Sequence, residues 1–575
     1  MADHSVTARA GKPGFLSGAG GRLGAALIAH YRDSGLWRDR ALGSYLDEAV
    51  RVVPERTAAV SLDATGKSVR SMTYAELDDL SRRVCAGLHT LGVRAGDTVS
   101  VMIPNCAEFS AIAFGITRLG AVYSGIPITY GRHEVQFMLA RARTKVLFIA
   151  AALGRHDLVG LARQARAANP GVQHVVVLGD GAPSETGWIG FDALVDTEPL
   201  AELPVVDPTT IAFLGFTSGT TNEPKAAVHL HQTVGTIVRE WPRHLGPGAL
   251  GDPLINLVMS PVGHGTGFYW GAMMSTLLQG TAVYLERWSP EAGLRALREQ
   301  AVTAMVGSPT FLQDILALPG ARAEDVPALS LVSIPGAPIP RGLVPRARRQ
   351  LGCLVVPSWG MTEYGIGVSG SPALPRERME ATDGIPIGSC EARVCDAGDT
   401  PLPDGVEGDL QVRGPGLFVG YLDRPDFTAE AFTADGWFRT GDRAVIDTDG
   451  FVSLRGRTKD IVIRGGENVP VVAIESLLYQ HPDVTDAAVI GIPDERLGER
   501  AHAVVSLRSK GTMSLDAIRE FLLAKGLSRR FLPEGITTLE AIPKTATGKI
   551  RKVELKALMS PDATTETRAA DPGGA

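Results

Sequence analysis

The sequence predicts an α/β protein: a large N-terminal domain of doubly wound, mostly parallel sheets with a β subdomain, followed by a small α+β C-terminal domain. Three observations predict it. Short apolar runs at Thr98–Ile103, Val146–Ala150, His174–Leu178, Ile211–Phe216, Leu254–Ser260, Thr281–Leu285 and Ser330–Pro335 are spaced by helical or Gly/Pro-punctuated segments. Strands this continuously hydrophobic suit parallel sheets covered on both faces. After about Gly384 the glycines Gly405, Gly408, Gly414, Gly416, Gly436, Gly441 and Gly450 divide the chain into short β-type runs, and past Arg457 a mixed texture resumes.

Each element has a local cause. Thr73 and Glu76 have the spacing of a capping box, Tyr74, Leu77, Leu80, Val84, Leu88 and Leu91 recur at helical steps, and Gly92 stands where the helix should stop. Asp449-Gly450 between Ala444–Ile446 and Phe451–Leu454 reads as a hairpin turn. The expected division is an N-terminal extension over 1–45, a large domain over 46–457 with its β subdomain from about 384, a C-terminal domain over 458–558, and a polar tail over 559–575.

With 575 residues, 44% of them hydrophobic and 21% charged, the chain is globular in composition and long enough for several domains. Its 57 Lys and Arg stand against 63 Asp and Glu, a net charge of -6 that gives no basic field for nucleic acid. Cys85, Cys106, Cys353, Cys390 and Cys395 are sparse and show no CxxC spacing, so neither a disulfide framework nor a zinc site is expected, and a reducing cytoplasm fits. No apolar run reaches the length of a membrane span. Arg22 followed by Leu23–Ala29 imitates an export signal, but His30, Tyr31, Arg32 and Asp33 occupy the place of its small-residue cleavage site.

Two motif-like segments lack their context. Gly18, Gly20 and Gly24 suggest a dinucleotide loop, yet the chain before them is polar rather than a strand. Asp447-Thr448-Asp449-Gly450 lacks the further acidic ligands of a calcium loop and reads as a turn.

The most unusual segment is Phe216-Thr217-Ser218-Gly219-Thr220-Thr221-Asn222-Glu223-Pro224-Lys225, directly after an apolar run. Hydroxyls, a central glycine and a lysine can wrap phosphates with backbone N–H groups, side-chain donors and one cation. It is not a Walker loop, because Pro224 precedes Lys225 and Ala226 follows it. The plain alternative is a polar turn joining strand to strand.

Three further segments follow in order: Trp359-Gly360-Met361-Thr362-Glu363; Thr440-Gly441-Asp442 with Gly456-Arg457-Thr458-Lys459-Asp460; and Pro543-Lys544-Thr545-Ala546-Thr547-Gly548-Lys549. Together with the hydroxyl-rich loop they resemble the signatures of the adenylate-forming superfamily, in its acyl- and aryl-CoA ligase branch, over roughly Leu46 to Lys552. Asn222 and Ala226 replace two of the family's glycines, Trp359 stands for the commoner Tyr or Phe, and Ala473 stands where a glutamate is frequent.

The resemblance implies ATP, Mg²⁺ and coenzyme A, and it implies roles. Thr217, Ser218, Gly219, Thr220, Thr221 and Lys225 would hold the β- and γ-phosphates. Thr362 would donate to the α-phosphate, and Glu363 would hold the metal. Trp359 would lie against the adenine with Gly336, Ala337 and Pro338 on its other side, and Ser358, Gly360 and Met361 would belong to the same ATP/AMP-binding set. Asp442 would accept from both ribose hydroxyls, with Arg457 beside it. Lys549 would bridge the incoming carboxylate and the α-phosphate. Lys459 would be the hinge of a mobile C-terminal domain, and Gly465, Gly466 and Glu467 would face the pantetheine arm.

The segment Ser260–Phe268 resembles the family's gate and acid pocket, with His264 as gate and Gly265 where hydroxybenzoate-activating relatives carry Asn. Phe268, Tyr269, Val306, Phe311, Trp359, Met361, Ile366 and Gly336 are the candidate lining, which implies a bulky alicyclic, aryl or terpenoid acid, or a medium chain. Three functions stand side by side: an acyl-CoA ligase; an adenylation enzyme loading a separate acyl carrier protein; and a non-catalytic nucleotide-binding scaffold, which should have lost Lys549, Glu363 or Asp442. The expected assembly is a monomer or a homodimer.

Overall fold

The structure is a computed structural model. It describes residues 25–559 apart from 152, 155–156, 180, 218–223, 458–461, 465–466, 495 and 546–547. The side chains of Ile463, Glu467, Asn468 and Gly498 lie outside the description as well.

Two large sheets carry the N-terminal part. In the eight-stranded sheet Thr98–Met102 is central, pairing in parallel with Val122–Gly125 and Thr144–Ala150. One flank of that sheet ends in β1 (Ile211–Thr217) and β2 (Lys225–Leu230), which are antiparallel. The phosphate-loop candidate therefore joins strand to strand, and Thr217 faces Lys225 across its base. The two-residue strand Gly420–Tyr421 adds to the outer edge of β2.

The nine-stranded sheet is parallel through its middle and contains β3 (Leu331–Ile334) beside β4 (Leu354–Met361). From β4 the chain turns back on itself into β5 (Gly365–Ser369). Its strand burial is nearly continuous, as parallel pairing with helices on both faces demands. The runs expected at Leu254–Ser260 and Ser330–Pro335 form shorter strands, Ile255–Val258 and Leu331–Ile334. Ser260 and Pro335 lie beyond the strand ends, on the side where the chain enters the site.

The helix expected from Tyr74 is α1 (Tyr74–Thr90). Glu76 N donates to Thr73 Oγ1 at 3.2 Å, and Thr73 N donates to Glu76 Oε2 at 2.7 Å, so the capping box is closed. A second helix, α2 (Pro309–Ala317), starts with proline in its first turn. Residues 25–45 pack on the large body: Trp37 Nε1 donates to Pro415 O at 3.0 Å, and Leu42 N donates to His231 Nδ1 at 3.3 Å.

A four-stranded antiparallel sheet follows, ending in β6 (Phe438–Ile446) and β7 (Val452–Arg457). The turn between them is the expected one, with Gly450 N donating to Asp447 O at 2.9 Å. The last body is a small sheet built on the long pair Val484–Asp494 and Gly498–Leu507, with helices at Val471–Leu478 and Leu515–Ala524. It has its own apolar core around Ile474, Val489, Val505 and Ile518. No described helix is long and apolar enough to cross a membrane.

Candidate active site

Three sheets and one loop of the C-terminal body meet at one place. From the eight-stranded sheet comes the base of the phosphate loop. Ser218, Gly219, Thr220 and Thr221 lie outside the described residues, so the two ends of the loop carry the geometry. Thr217 Oγ1 donates to Lys225 O at 3.4 Å. The Lys225 ammonium sits 3.7 Å from the centre of the Phe427 ring and 5.2 Å from that of Tyr421, within cation–π range of both.

From the nine-stranded sheet comes the tight turn between β4 and β5, with Thr362 and Glu363 at its tip. A register shift between Trp359 and Gly360 interrupts the pairing, a device that re-aims side chains at sites. Three contacts hold this turn in place. His229 Nε2 lies 2.8 Å from Thr362 O, and Phe418 N donates to Glu363 O at 2.8 Å. Gly215 leaves room for the Thr362 methyl, since a Cβ there would stand 2.3 Å from Thr362 Cγ2. Any side chain at Gly215 would push Thr362 away from β1.

Glu363 is 5% exposed, and burial pushes its carboxyl above the usual carboxylate range. Tyr421 OH opposes that by donating to Glu363 Oε1 at 2.8 Å. Tyr421 therefore touches both charged members of the constellation, with its hydroxyl on Glu363 and its ring beneath Lys225. No group of three or more His, Cys, Asp or Glu among the described residues could form a protein cage for a metal. A single carboxylate such as Glu363 is a donor set that fits Mg²⁺, because that ion takes its remaining ligands from substrate phosphates and water.

From the β subdomain come Asp442 on β6 and Arg457 on β7, paired across the ladder. Arg457 Nε stands 3.3 Å from Asp442 Oδ1, and Trp359 Nε1 donates to Asp442 Oδ2 at 2.7 Å. Each carboxylate oxygen keeps a lone pair for an incoming donor. Trp359 itself is buried, tied edge-on to the carboxylate. Ser358 is buried too, its hydroxyl 2.9 Å from Ser333 Oγ and 3.0 Å from Ser369 Oγ. Gly336 and Pro338 are exposed, with Ala337 half-buried between them. Gly360 and Met361 are half-buried.

The fourth contribution is the loop bearing Lys549. Its ammonium is close enough to His264 to act on that ring. Desolvation, and after it this neighbouring charge, drive the His264 imidazole down to about 4, so it stands neutral near pH 7. His264 Nδ1 lies 3.0 Å from Thr266 Oγ1 and accepts from Thr266 N at 3.2 Å.

Behind His264 a Cβ on Gly265 would meet Tyr269 at 3.2 Å and Phe213 at 3.5 Å. Phe268 lies deeper, stacked 4.6 Å from Tyr123 and 5.0 Å from Phe213 between ring centres. Phe268 and Tyr269 belong to a buried π-helix, Gly267–Met274, whose i→i+5 bonding is rare and frequent at functional sites. Val306 and Ile366 are buried in the large core, whereas Phe311 packs edge-on against Trp288 in the core under α2. Among the CoA-facing candidates Gly465 and Gly466 lie outside the described residues, as does Lys459, and Glu467 is described by its backbone alone.

The sequence reading did not single out His229, Tyr421 or Phe213. His229 follows Lys225 by four residues on β2, and Tyr421 belongs to a two-residue strand, too short for any periodic signal.

Comparison with known proteins places the chain in a family. Residues 46–422 match the family described as AMP-binding enzyme, and residues 473–549 match the one described as AMP-binding enzyme C-terminal domain. The medium-chain fatty-acid--CoA ligase of Escherichia coli is 31% identical over 92% of this chain and 92% of its own length. A 3-[(3aS,4S,7aS)-7a-methyl-1,5-dioxo-octahydro-1H-inden-4-yl]propanoyl:CoA ligase of Mycobacterium tuberculosis is 31% identical over 90% of this chain and 99% of its own. The crystal structure of the anthranilate CoA ligase AuaEII with anthranoyl-AMP superimposes with a TM-score of 0.83 over 92% of this chain and 98% of that one, and at 24% identity it speaks for the fold alone. With a family model matched over residues 46–422 and relatives 31% identical over nine-tenths of its length, the chain belongs to the AMP-binding enzyme family.

Proposed function

We propose that the protein is an ATP-dependent acyl-CoA ligase that activates a bulky hydrophobic carboxylic acid as its acyl-AMP and then passes the acyl group to the thiol of coenzyme A. The observation that carries the reading is the convergence at one place of Lys225, Glu363, Asp442 and Lys549, each brought by a different element of the fold.

In the first half-reaction a carboxylate oxygen bonds to the α-phosphorus of ATP, and the bond to the β-phosphate oxygen breaks to release pyrophosphate. Two anions must approach each other, so donors fixed in advance are what lower the barrier. Asp442, held by Trp359 and Arg457, accepts from the ribose hydroxyls and fixes the nucleoside. Lys225 and the hydroxyls from Thr217 onward meet the outer phosphates. Glu363, steadied by Tyr421, would hold Mg²⁺, which when bound neutralises phosphate charge. Lys549, at the end of a flexible stem, reaches the carboxylate and the α-phosphate together. In the second half-reaction the sulfur attacks the acyl carbon, the thioester forms and AMP leaves with the bonding pair. Gly465, Gly466 and Glu467 are the proposed path for the pantetheine arm, with Lys459 as hinge.

The acid is read from the wall behind Gly265, where Phe213 and Tyr269 present ring edges. The two relatives named above, whose names give a medium-chain fatty acid and a fused bicyclic propanoate as substrates, support a hydrophobic acid of this kind. The unpaired cysteines suit a reducing cytoplasm.

Acid-dependent ATP–pyrophosphate exchange tests the reading with octanoate, cyclohexanecarboxylate, benzoate and cinnamate against acetate and glycine. Exchange with the hydrophobic acids, followed by thioester formation on free CoA, is expected. Preference for acetate or glycine would remove the substrate assignment. Faster acylation of a phosphopantetheinylated carrier protein than of CoA would make the chain a carrier-loading adenylation enzyme.

A further inference from the structure

The described parts of the loop that carries Lys549 are tied to one another. Lys544 and Ile550 form an antiparallel bridge, Thr545 N donates to Lys549 O at 2.7 Å, Gly548 N donates to Thr545 O at 2.9 Å, and Lys549 N donates to Thr545 Oγ1 at 3.1 Å. These bonds join Lys549 to Thr545 and Thr545 to Gly548, so where Gly548 rests bears on where Lys549 stands.

It rests on the first turn of α2. Thr310 Oγ1 donates to Gly548 O at 3.2 Å. Gly548 has a φ of +80°, and a Cβ there would stand 2.8 Å from Ser308 Oγ and 3.0 Å from Thr310 Oγ1. Only glycine fits both the backbone and the space. Ser308 is buried and its hydroxyl has no hydrogen-bond partner among the described residues, so the cradle closes by contact there and by the Thr310 hydrogen bond beside it. One turn along α2, Asp314 accepts from Trp288 Nε1 at 2.9 Å and lies in the field of Lys544, which is itself 2.6 Å from Asp486. The same helix thus presents a shape-matched seat to the tip of the loop and a carboxylate to its base.

We propose that Ser308, Thr310 and Asp314 of α2 form the seat that positions Lys549 for adenylate formation and that releases Gly548 when the C-terminal body moves for thiol transfer. This rests on the reading of Lys549 given above. Among the described residues the contact is made by a neutral hydrogen bond and a snug glycine, which give it direction without a charge pair to hold it shut, as an alternating seat requires. Thr310 and Asp314 are positioning residues, since they act through the loop.

The test separates the half-reactions, using the panel acid with the fastest exchange and its synthetic adenylate. Thr310→Val keeps the side-chain volume and removes the donor. It should slow pyrophosphate exchange about tenfold, leave thiolysis of the added adenylate by CoA within about twofold of wild type, and speed amide hydrogen exchange over residues 543–551. Thr310→Ser should restore adenylation, and Asp314→Asn should slow exchange alone, by a smaller factor. Gly548→Ala, which strains the loop from the other side, should reproduce Thr310→Val more severely. Wild-type exchange in Thr310→Val, or equal loss of both half-reactions, would overturn the seat. Lys549→Ala run in parallel keeps the two readings apart: exchange lost there but intact in Thr310→Val sinks the seat alone, whereas exchange surviving in Lys549→Ala sinks the reading on which it rests.

Discussion

The indole N–H of Trp359 donates to Asp442 Oδ2 at 2.7 Å, joining the residue expected against adenine to the residue expected on ribose. Phenylalanine at this position could stack but could not hold the carboxylate. Trp359→Phe should therefore raise the KM for ATP about tenfold at little cost in kcat, since a hydrogen bond to a charged group is worth roughly 1.5–3 kcal/mol and part of it is recovered through Arg457. ATP dependence of pyrophosphate exchange measures it, and an unchanged KM would mean that Arg457 alone holds Asp442.

What was legible in the sequence divides along a physical line. α1 was legible because its cap and its period are local: Thr73, Glu76 and the apolar steps all lie within one stretch. The β6–β7 turn was legible for the same reason, and the strand runs were marked by continuous hydrophobicity. The partners of the motif residues were not. Tyr421 meets Glu363 from 58 positions away and Trp359 meets Asp442 from 83, so no window along the chain contains both. Trp359 could be placed in a nucleotide site from its motif, but its tie to Asp442 depends on how the β subdomain closes over the nine-stranded sheet.

Tyr421→Phe removes the phenol that steadies Glu363 and keeps the ring beside Lys225. The buried carboxylate then loses its charge-facing donor, and the expected outcome is about a tenfold weaker dependence on Mg·ATP at nearly unchanged fold stability. Titrating exchange activity with Mg·ATP in the two proteins decides it. Equal curves would show that the Tyr421 hydroxyl contributes packing only.

His231 gives a pH prediction away from the chemistry. It is wholly buried, Leu42 N donates to its Nδ1, and its Nε2 has no partner among the described residues, so desolvation lowers its pKa to about 4. An unfolded chain would titrate it near about 6.5, so between those values the unfolded state binds a proton that the folded state does not. Stability is therefore fully retained above about pH 6.5 and falls as the pH drops toward 4, by up to about 3 kcal/mol from this group. Urea midpoints at pH 7, 6 and 5 should decline more steeply in the wild type than in His231→Asn, and parallel declines would refute the assignment.

Lys549→Ala puts the division of labour between the two half-reactions to the test. The lysine sits in a loop that touches the N-terminal body through Gly548 and its charge reaches His264, which is the placement that the proposed role in adenylate formation calls for. Nothing in thiol attack on a finished adenylate requires a cation there, because the negative charge to be bridged has already been joined to phosphorus. Exchange should fall by about 100- to 1000-fold, the loss typical of removing one preorganised charge-facing donor, while CoA thiolysis of added adenylate stays within about threefold of wild type. Rapid-quench measurement of each half-reaction gives both numbers. If both fall equally, Lys549 serves the whole cycle and the C-terminal body need not move between the steps.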